Sequence, residues 1–219
     1  MLSNEHMLDL SRAARTGLDE AIFCDGKTAP QIAEIVSELV KKKTKALFTQ
    51  LSQEKFEKLP KTINDKINYD PFSKTGILGQ PLTHSGNPKV GIVSAGTSDL
   101  QVAAEANRTL AYYGKSALLI NDVGVAGLWR LLSNVERVQH MAVVIAIAGM
   151  DAALPTVLGG LVSCPVIGVP TSVGYGVAKG GEVALKSMLS SCSSGLLVVN
   201  IDNGYGAACA AIRILKSHL

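Results

Sequence analysis

The sequence lacks the features that mark membrane, secreted and nucleic-acid-binding proteins. Its longest apolar runs, such as residues 141–148, are far too short to cross a bilayer. Residues 1–10 carry Glu5 and Asp9 and have no basic start or apolar core, unlike a secretory signal peptide. Only 5% of the residues are aromatic, and none interleaves with the basic run at residues 41–45. We therefore expect a cytoplasmic protein that binds neither membrane nor nucleic acid.

Metal and dinucleotide motifs are also missing. The four cysteines form no CxxC pair, which argues against a zinc site and, in a cytoplasmic chain, against a disulfide framework; they are Cys24, Cys164, Cys192 and Cys209. No GxGxxG sequence is present, which disfavours an ordinary nicotinamide dehydrogenase. Residues 26–28 read Gly-Lys-Thr, but position 21 is Ala where a phosphate-binding loop requires Gly. We predict no organic cofactor.

Charge is distributed unevenly along the chain, although the formal net charge is only +3. The first 88 residues contain 12 Lys or Arg and 11 Asp or Glu, whereas the remaining 131 contain nine and seven. Residues 80–88 are rich in turn formers and read as a linker. The composition predicts two parts: an N-terminal region with its linker over residues 1–88, and a larger domain over residues 89–219.

The N-terminal part is predicted to be a small α/β region. Thr28 and Gln31 have the spacing of a capping box, with Pro30 in the first turn, which predicts a helix over residues 29–43. Residues 7–15 are expected to be helical, and residues 20–24 form a candidate extended segment.

The larger part repeats one pattern. Apolar strands are predicted at residues 89–94, 116–120, 142–147, 166–169 and 196–200. Helices are predicted between and after them, at residues 99–113, 125–132, 152–162, 180–189 and 204–216. The strands are apolar throughout rather than alternating, as in sheets covered by helices on both faces. The pattern predicts a three-layer α/β sandwich around a parallel doubly wound sheet.

Ligands of such sheets bind beyond the carboxyl ends of the strands, where four loops of this chain are rich in glycine and polar residues. Their backbone amides and hydroxyls suit a phosphate or carboxylate, although each loop alone is equally compatible with a tight turn and a helix cap. Asp151 follows the third strand. The candidate binding residues are Ser94, Gly96, Thr97, Ser98, Asp99, Thr171, Ser172, Gly174, Tyr175, Gly176 and Asn203.

Three long segments resemble the LarB family. They are GIVSAGTSDL, AGMDAALPTVLGGLVSCPVIGVPTSVGYG and SSCSSGLLVVNIDNGYGAA, and the upstream SRAARTGLDEAIFCDGKTAPQIAEI is similar to that family's N-terminal region. The resemblance thus covers nearly the whole chain. The second part alone also resembles PurE, an aminoimidazole ribonucleotide (AIR) carboxylase, so the resemblance implies a PurE-like, flavodoxin-like fold.

The resemblance implies a reaction. LarB enzymes carboxylate the pyridinium ring of nicotinic acid adenine dinucleotide with CO2 and hydrolyse its phosphoanhydride, releasing AMP. The product, pyridinium-3,5-biscarboxylic acid mononucleotide, begins the route to a nickel-pincer nucleotide cofactor. The electron-poor ring cannot attack CO2 until a thiolate adds to it and makes a neighbouring carbon nucleophilic.

The same resemblance assigns roles to two residues. Cys192 matches the family's nucleophile, and Asp151 matches its acidic residue, for which the usual family residue is Glu. Asp is one methylene shorter, a difference in reach of about 1.5 Å. Phosphoanhydride hydrolysis would benefit from a divalent cation such as Mg²⁺, for which Asp99 and Asp151 are the candidate ligands.

Cys192 precedes the last predicted strand and therefore belongs to the amino edge of the sheet, opposite the predicted ligand site. PurE-like proteins assemble as homo-oligomers, so the resemblance implies an active site between subunits.

Two alternative functions remain open. One is a PurE-type AIR carboxylase or mutase, although residues 121–125 contain no histidine where PurE carries its catalytic one. The other is a noncatalytic module that binds a pyridine dinucleotide.

Overall fold

The structure, a computed structural model, describes residues 6–79 and 86–217. The chain divides into two compact units, Met1–Leu82 and Thr83–Leu219. Most of the predicted linker, residues 80–88, lies outside the described residues.

The first unit contains four helices and a mixed four-stranded sheet within its described residues. Its elements are α1 (Arg12–Thr16), β1 (Ile22–Phe23), α2 (Ala29–Lys41), β2 (Ala46–Thr49), α3 (Gln53–Glu57), α4 (Lys61–Asn64), β3 (Ile67–Asp70) and β4 (Thr75–Leu78). The strand order is β1-β2-β4-β3, with β1 parallel to β2 and the other pairs antiparallel. The α/β character was predicted, but β2, β3 and β4 were not.

Helix α2 begins where the capping box predicts. The Thr28 hydroxyl accepts the Gln31 N–H at 3.4 Å, and the Gln31 side chain accepts the Thr28 N–H at 2.9 Å. Helix α1 is shorter than predicted: residues 7–11 are not helical, and Gly17 ends the helix with a left-handed φ of 76°. The predicted extended segment at residues 20–24 shortens to the two residues of β1.

The second unit is a parallel five-stranded α/β sandwich. Its elements are β5 (Val90–Ser94), α5 (Leu100–Tyr112), β6 (Ala117–Ile120), α6 (Leu128–Leu132), α7 (Val135–Gln139), β7 (Val143–Ala148), α8 (Ala153–Gly159), β8 (Val166–Pro170), α9 (Glu182–Leu189), β9 (Leu197–Val198) and α10 (Gly204–Ser217). The strand order is β6-β5-β7-β8-β9, and every neighbouring pair is parallel. This is the flavodoxin-like order 2-1-3-4-5, and it confirms the predicted fold class.

Several element bounds differ from the prediction. A 3₁₀ turn at residues 125–127 replaces the first turn of one predicted helix, and 3₁₀ segments at residues 97–99 and 176–181 precede α5 and α9, which begin one and two residues later than predicted. Helix α7 was not predicted. Helix α8 ends at Gly159, three residues early, and β9 contains only two residues. Glycine and polar residues at these ends allow tighter local hydrogen bonding than an α-helix offers.

The burial of the strands follows their position in the sheet. Every residue of β5, β7 and β8 is buried, as expected for strands covered on both faces. The edge strands are partly exposed: Leu119 of β6 and Leu197 of β9 each expose nearly half of their surface. The prediction that all five strands are covered on both faces is therefore wrong for the two edges.

The strand order places the expected ligand site. The chain passes from β5 to β6 on one side and then crosses to β7 on the other, so the loops after β5 and β7 diverge at their carboxyl ends. Crevices of this type bind ligands in doubly wound sheets.

Within residues 6–79 and 86–217, no helix combines the length and apolar character needed to span a bilayer.

Candidate active site

A cleft of about 390 Å³ opens at the divergence of β5 and β7. This volume lies within the range of small-molecule pockets. The loops after β5, β6, β7 and β8 form its walls. The lining residues are Ala95, Gly96, Ser98, Asp99, Gly124, Val125, Ala126, Ala148, Gly149, Met150, Asp151, Ala152, Ala153, Leu154 and Val173.

The Asp99 carboxylate joins three of these loops. Its Oδ2 accepts the Gly96 N–H at 2.8 Å, and its Oδ1 accepts the Thr171 hydroxyl at 2.7 Å. The Gly149 backbone also donates to this carboxylate. Asp99 is only 3% exposed, so its oxygens are engaged mainly by the protein. The residue fixes the loops of the cleft and leaves little capacity to coordinate a metal.

Burial raises the pKa of Asp99 above its ordinary value of 3.8. The hydrogen bonds from Thr171 and Gly96 act in the opposite direction, and the negative charge of Asp202 adds to the increase.

Asp151 lines the cleft from an unusual stretch of backbone. It lies between Met150 and Ala152, whose φ angles of 55° and 52° are left-handed. The Met150 N–H donates to the Val173 carbonyl at 3.0 Å, and the Ala152 N–H donates to the Gly149 carbonyl at 2.9 Å. The N-cap of α8 is Ala152, so Asp151 does not occupy the cap position. Its exposed carboxylate is available at the cleft.

Close packing at Gly149 sets the shape of this wall. A Cβ atom there would lie 2.4 Å from the Val173 carbonyl oxygen and 2.6 Å from Thr171 Oγ1. No side chain fits, so the loop after β7 can approach the loop after β8 only because residue 149 is glycine.

The polar loop after β8 divides into a buried start and an exposed end. Thr171 is fully buried beneath the cleft and binds Asp99, whereas Ser172 is exposed. Tyr175 is 77% exposed. None of the predicted residues from Thr171 to Gly176 lines the cleft directly; Val173, which was not predicted, does.

The loop after β6 contributes a wall that the sequence analysis missed. Its 3₁₀ turn supplies Gly124, Val125 and Ala126. The Gly124 N–H donates to the Ala95 carbonyl at 2.8 Å, and Asp122 pairs with Arg130 of α6 across the base of the turn. Small apolar residues carry no motif of their own, so only the strand order could have placed them here.

The loop before α10 is tied to the loop after β8. Asp202 Oδ1 accepts the Ser172 N–H at 2.8 Å, and the Asp202 N–H donates to the Pro170 carbonyl at 2.8 Å. Asn203 Oδ1 accepts the Gly206 N–H at 2.7 Å and so caps α10. Asp202 was not among the predicted site residues.

Cys192 is exposed but does not line the cleft. Its neighbours are attached to α8: Ser191 Oγ lies 2.7 Å from Thr156 Oγ1, and a Cβ at Gly159 would lie 2.0 Å from Ser193 Oγ. Residues rise about 1.5 Å each along a helix, so the end of α8 lies about 9 Å from its start beside Asp151. Cys192 is therefore held beside the half of α8 that is remote from Asp151.

The other three cysteines are less exposed than Cys192. Cys24 belongs to the core of the first unit and is fully buried, and burial raises the pKa of its thiol to about 12. Burial also raises the pKa of the half-buried Cys164. Cys209 lies inside α10 and is partly buried.

The structure thus brings together only some of the predicted residues. Gly96, Ser98, Asp99 and Asp151 line one cleft, and Thr171 supports it from below. Ser94 is buried and donates to Asn121, Thr97 is exposed outside the lining, and Asn203 caps a helix. Among the residues that the structure describes, no three His, Cys, Asp or Glu side chains are grouped to hold a metal ion.

Substituting Gly149 should damage the cleft. Gly149→Ala forces the loop after β8 to move, and we expect a loss of about 1–3 kcal/mol in the free energy of unfolding together with weaker ligand binding. Urea denaturation measures the first quantity. Gly160→Ala is the matched control, because its Cβ would lie an ordinary 3.5 Å from the Val157 carbonyl oxygen. Equal stability of the two variants would contradict the close approach.

The raised pKa of Asp99 predicts a pH-dependent stability. Since the folded-state pKa exceeds 3.8, the stabilising contribution of the protonated carboxyl is present below that pH and is lost as pH rises through the raised value. We expect the destabilisation caused by Asp99→Asn to shrink from about pH 4 to about pH 8. Urea titrations across this range measure it, with Ser98→Ala as a non-titrating control. A difference that grows with pH would contradict the direction.

Comparison with known families agrees with this architecture. A model of the LarB/PurE-like N-terminal domain matches residues 4–80, and a model of AIR carboxylase matches residues 89–218.

Relatives match either nearly the whole chain or rather more than half of it. An uncharacterized protein of Methanocaldococcus jannaschii is 41% identical over 95% of this chain and 83% of its own length. The N5-carboxyaminoimidazole ribonucleotide mutase of the same organism is 33% identical over 57% of this chain and 76% of its own length. The enzyme of that name from Pyrococcus horikoshii is also 33% identical, over 60% of this chain and 74% of its own length. With both domains matched in order, the chain belongs to the LarB family, in which a LarB-type N-terminal domain precedes a PurE-like AIR carboxylase domain.

Proposed function

We propose that the protein carboxylates the pyridinium ring of nicotinic acid adenine dinucleotide and hydrolyses its phosphoanhydride. The products are pyridinium-3,5-biscarboxylic acid mononucleotide and AMP, and the reaction takes place in the cytoplasm as the first step towards a nickel-pincer nucleotide cofactor. The observation that carries the proposal is the exposed Cys192 thiol, held on a fixed loop in a chain with a LarB-type N-terminal domain.

The chemistry begins with the thiolate. Cys192 adds to a ring carbon, and the ring electrons move to the nitrogen, leaving a neutral dihydropyridine whose neighbouring carbon is nucleophilic. That carbon forms a bond to CO2 and gains a carboxylate. A base then removes the proton from the same carbon, the C–S bond breaks, and the aromatic pyridinium and the thiolate are restored. Water separately cleaves the anhydride, so atoms and electrons balance without a redox partner.

Asp151 is the proposed base. Its carboxylate is exposed to the cleft and is held between two left-handed residues, whereas the Asp99 carboxylate is occupied by hydrogen bonds from the protein. The backbone amides around Gly96 and the Ser98 hydroxyl suit the diphosphate. The alternative role of Asp151 is to supply the ligand from the chain for a Mg²⁺ ion, which would otherwise be held by phosphate oxygens of the substrate, because no grouped set of ligands exists among the described side chains. Assays with and without a chelator test that requirement.

The first experiment tests the reaction and its nucleophile together. Pure protein is incubated with nicotinic acid adenine dinucleotide, bicarbonate and Mg²⁺, and both products and protein are analysed by mass spectrometry. We expect AMP and the dicarboxylated mononucleotide from the wild type, and loss of both carboxylation and the covalent adduct in Cys192→Ala. Cys164→Ala, which removes a half-buried thiol of the same unit, should retain activity. Full activity of Cys192→Ala would refute the assignment.

The separation of Cys192 from the cleft favours an active site shared between subunits. The loop that carries Cys192 is attached to α8, and Asp151 lies at the other end of that helix. The Cys192 side chain is too short to cover the length of α8, about 9 Å, and reach the cleft of its own subunit while its loop stays attached to the helix. Exposed apolar side chains flank both parts: Leu189 and Leu197 lie near Cys192, and Tyr175 and Val177 lie on the loop after β8. A homo-oligomer that buries both surfaces would bring the thiol of one subunit to the cleft of another.

Subunit mixing distinguishes the two arrangements. Cys192→Ala and Asp151→Asn subunits, each inactive alone, are co-expressed with different tags and purified through both tags. If the thiol acts in the neighbouring cleft, about a quarter of the sites in random mixed oligomers contain both intact groups and activity returns to that extent. If it acts in its own cleft, no mixed site is intact and no activity returns. Full activity of Asp151→Asn alone would refute Asp151 as the base.

A PurE-type mutase is the second candidate, because the chain is 33% identical to two enzymes of that name over 57% and 60% of its length and its second unit matches AIR carboxylase. The cleft argues against it: the loop after β6 contributes Gly124, Val125 and Ala126, and no described histidine lines the site. Turnover of N5-carboxyaminoimidazole ribonucleotide in place of the dinucleotide would favour the mutase. Tight binding of the dinucleotide without turnover would favour a noncatalytic binding module.

A further inference from the structure

A buried glutamate links two helices behind the cleft. Glu105 lies on α5, the helix that follows Asp99, and is only 3% exposed. Its Oε2 accepts the N–H of Tyr205, the second residue of α10, at 3.2 Å. A carboxylate at this position satisfies a donor that has no acceptor within its own helix and also interacts favourably with the helix dipole.

Helices α5 and α10 are in close backbone contact at this point. A Cβ atom at Gly204 would lie 2.4 Å from the Val102 carbonyl oxygen and 3.1 Å from Glu105 Oε2. The first turn of α10 therefore sits directly on α5, and Glu105 lies within that contact. Asn203 caps the same turn from the other side through Gly206.

The contact is one part of a closed series of bonds that includes the cleft. Asp202, just before α10, is bound to the Ser172 N–H and the Pro170 carbonyl. The neighbouring Thr171 donates to Asp99, and Asp99 leads directly into α5 and so back to Glu105. A shift of the first turn of α10 would displace Asp202. Through the hydrogen bonds just described, it would also displace the loop after β8 and the Asp99 carboxylate.

We propose that Glu105 is a positioning residue for the active site: it fixes the first turn of α10, and thereby holds Asp202 and the loop after β8, which support Asp99 and place Val173 at the cleft. The role is geometric, since Glu105 does not line the cleft and acts as a hydrogen-bond acceptor. Only the kinetic readout rests on the proposed carboxylase reaction.

Two substitutions with side chains about as long as that of Glu105 distinguish its role as a hydrogen-bond acceptor from the effect of its negative charge. Glu105→Gln loses the charge but keeps an oxygen that can accept the Tyr205 N–H, whereas Glu105→Met loses both. We expect amide hydrogen exchange at residues 204–206 and at Ser172 to remain slow in the Gln variant and to accelerate about tenfold in the Met variant, the equivalent of one hydrogen bond.

The kinetic prediction is a KM effect. Because the displaced loops support the cleft wall and do not include the proposed nucleophile, Glu105→Met should raise KM for the dinucleotide about tenfold with kcat within a few-fold, and Glu105→Gln should stay near the wild type. Thr109→Val is the control: Thr109 is buried one turn further along α5 and donates only to the Glu105 carbonyl in its own helix. It should lower stability without changing KM.

Two results would overturn the proposal. One is equally accelerated exchange in the Gln and Met variants, which would make the charge and not the acceptor decisive. The other is unchanged exchange at Tyr205 in a folded Met variant. Hydrogen exchange requires no turnover, so a wild type inactive on the dinucleotide would refute the proposed reaction while leaving this test intact.

Discussion

The cleft depends on one buried carboxylate. Asp99 accepts hydrogen bonds from the loop that precedes it, from Gly149 after β7 and from Thr171 after β8. These loops follow three different strands. Each loop is too short to hold a stable structure by itself. A negatively charged or strongly polar acceptor is costly to bury unless it is fully hydrogen-bonded, so the three loops and the carboxylate stabilise one another.

Close backbone contact then gives the cleft its shape. Gly149 lies against the loop after β8, Gly124 would clash with the Ala95 carbonyl if it carried a Cβ, and Gly204 sits on α5. Met150 and Ala152 hold left-handed angles on either side of Asp151. Non-glycine residues rarely adopt such angles, and they persist where the surrounding structure requires them. The backbone around Asp151 is thus determined by its neighbours, as the proposed role of Asp151 as a base requires.

The two parts of the proposed site are separated by the topology of the sheet. Residues after parallel strands meet at the carboxyl edge, whereas Cys192, which precedes β9, belongs to the opposite edge. Helix α8 connects the two, with Asp151 at its beginning and the cysteine loop attached along its second half. In our proposal, assembly brings the Cys192 thiol of one subunit to the cleft of another. The reaction then takes place at an interface where exposed apolar side chains are buried.

The sequence by itself determined the fold class and the edge of the sheet that carries the site. Five apolar strands alternating with helices dictate a parallel sheet, because only buried strands tolerate uninterrupted apolar residues. The capping box at Thr28 likewise fixed the start of α2 through local chemistry. The Gly-, Ser- and Asp-rich loops marked the carboxyl edge, and long motifs carried the family resemblance.

Which of those loop residues face the cleft was decided only by the tertiary structure. Thr171 and Ser94 turn inward to satisfy buried partners, Val173 and Ala126 face the cleft without any polar signature, and Asp202 and Glu105 act through bonds to residues 30 and 100 positions away. Sequence patterns report local periodicity and polarity. They do not specify which distant donor meets which acceptor, because that pairing is set by the packing of α5, α10 and the sheet together.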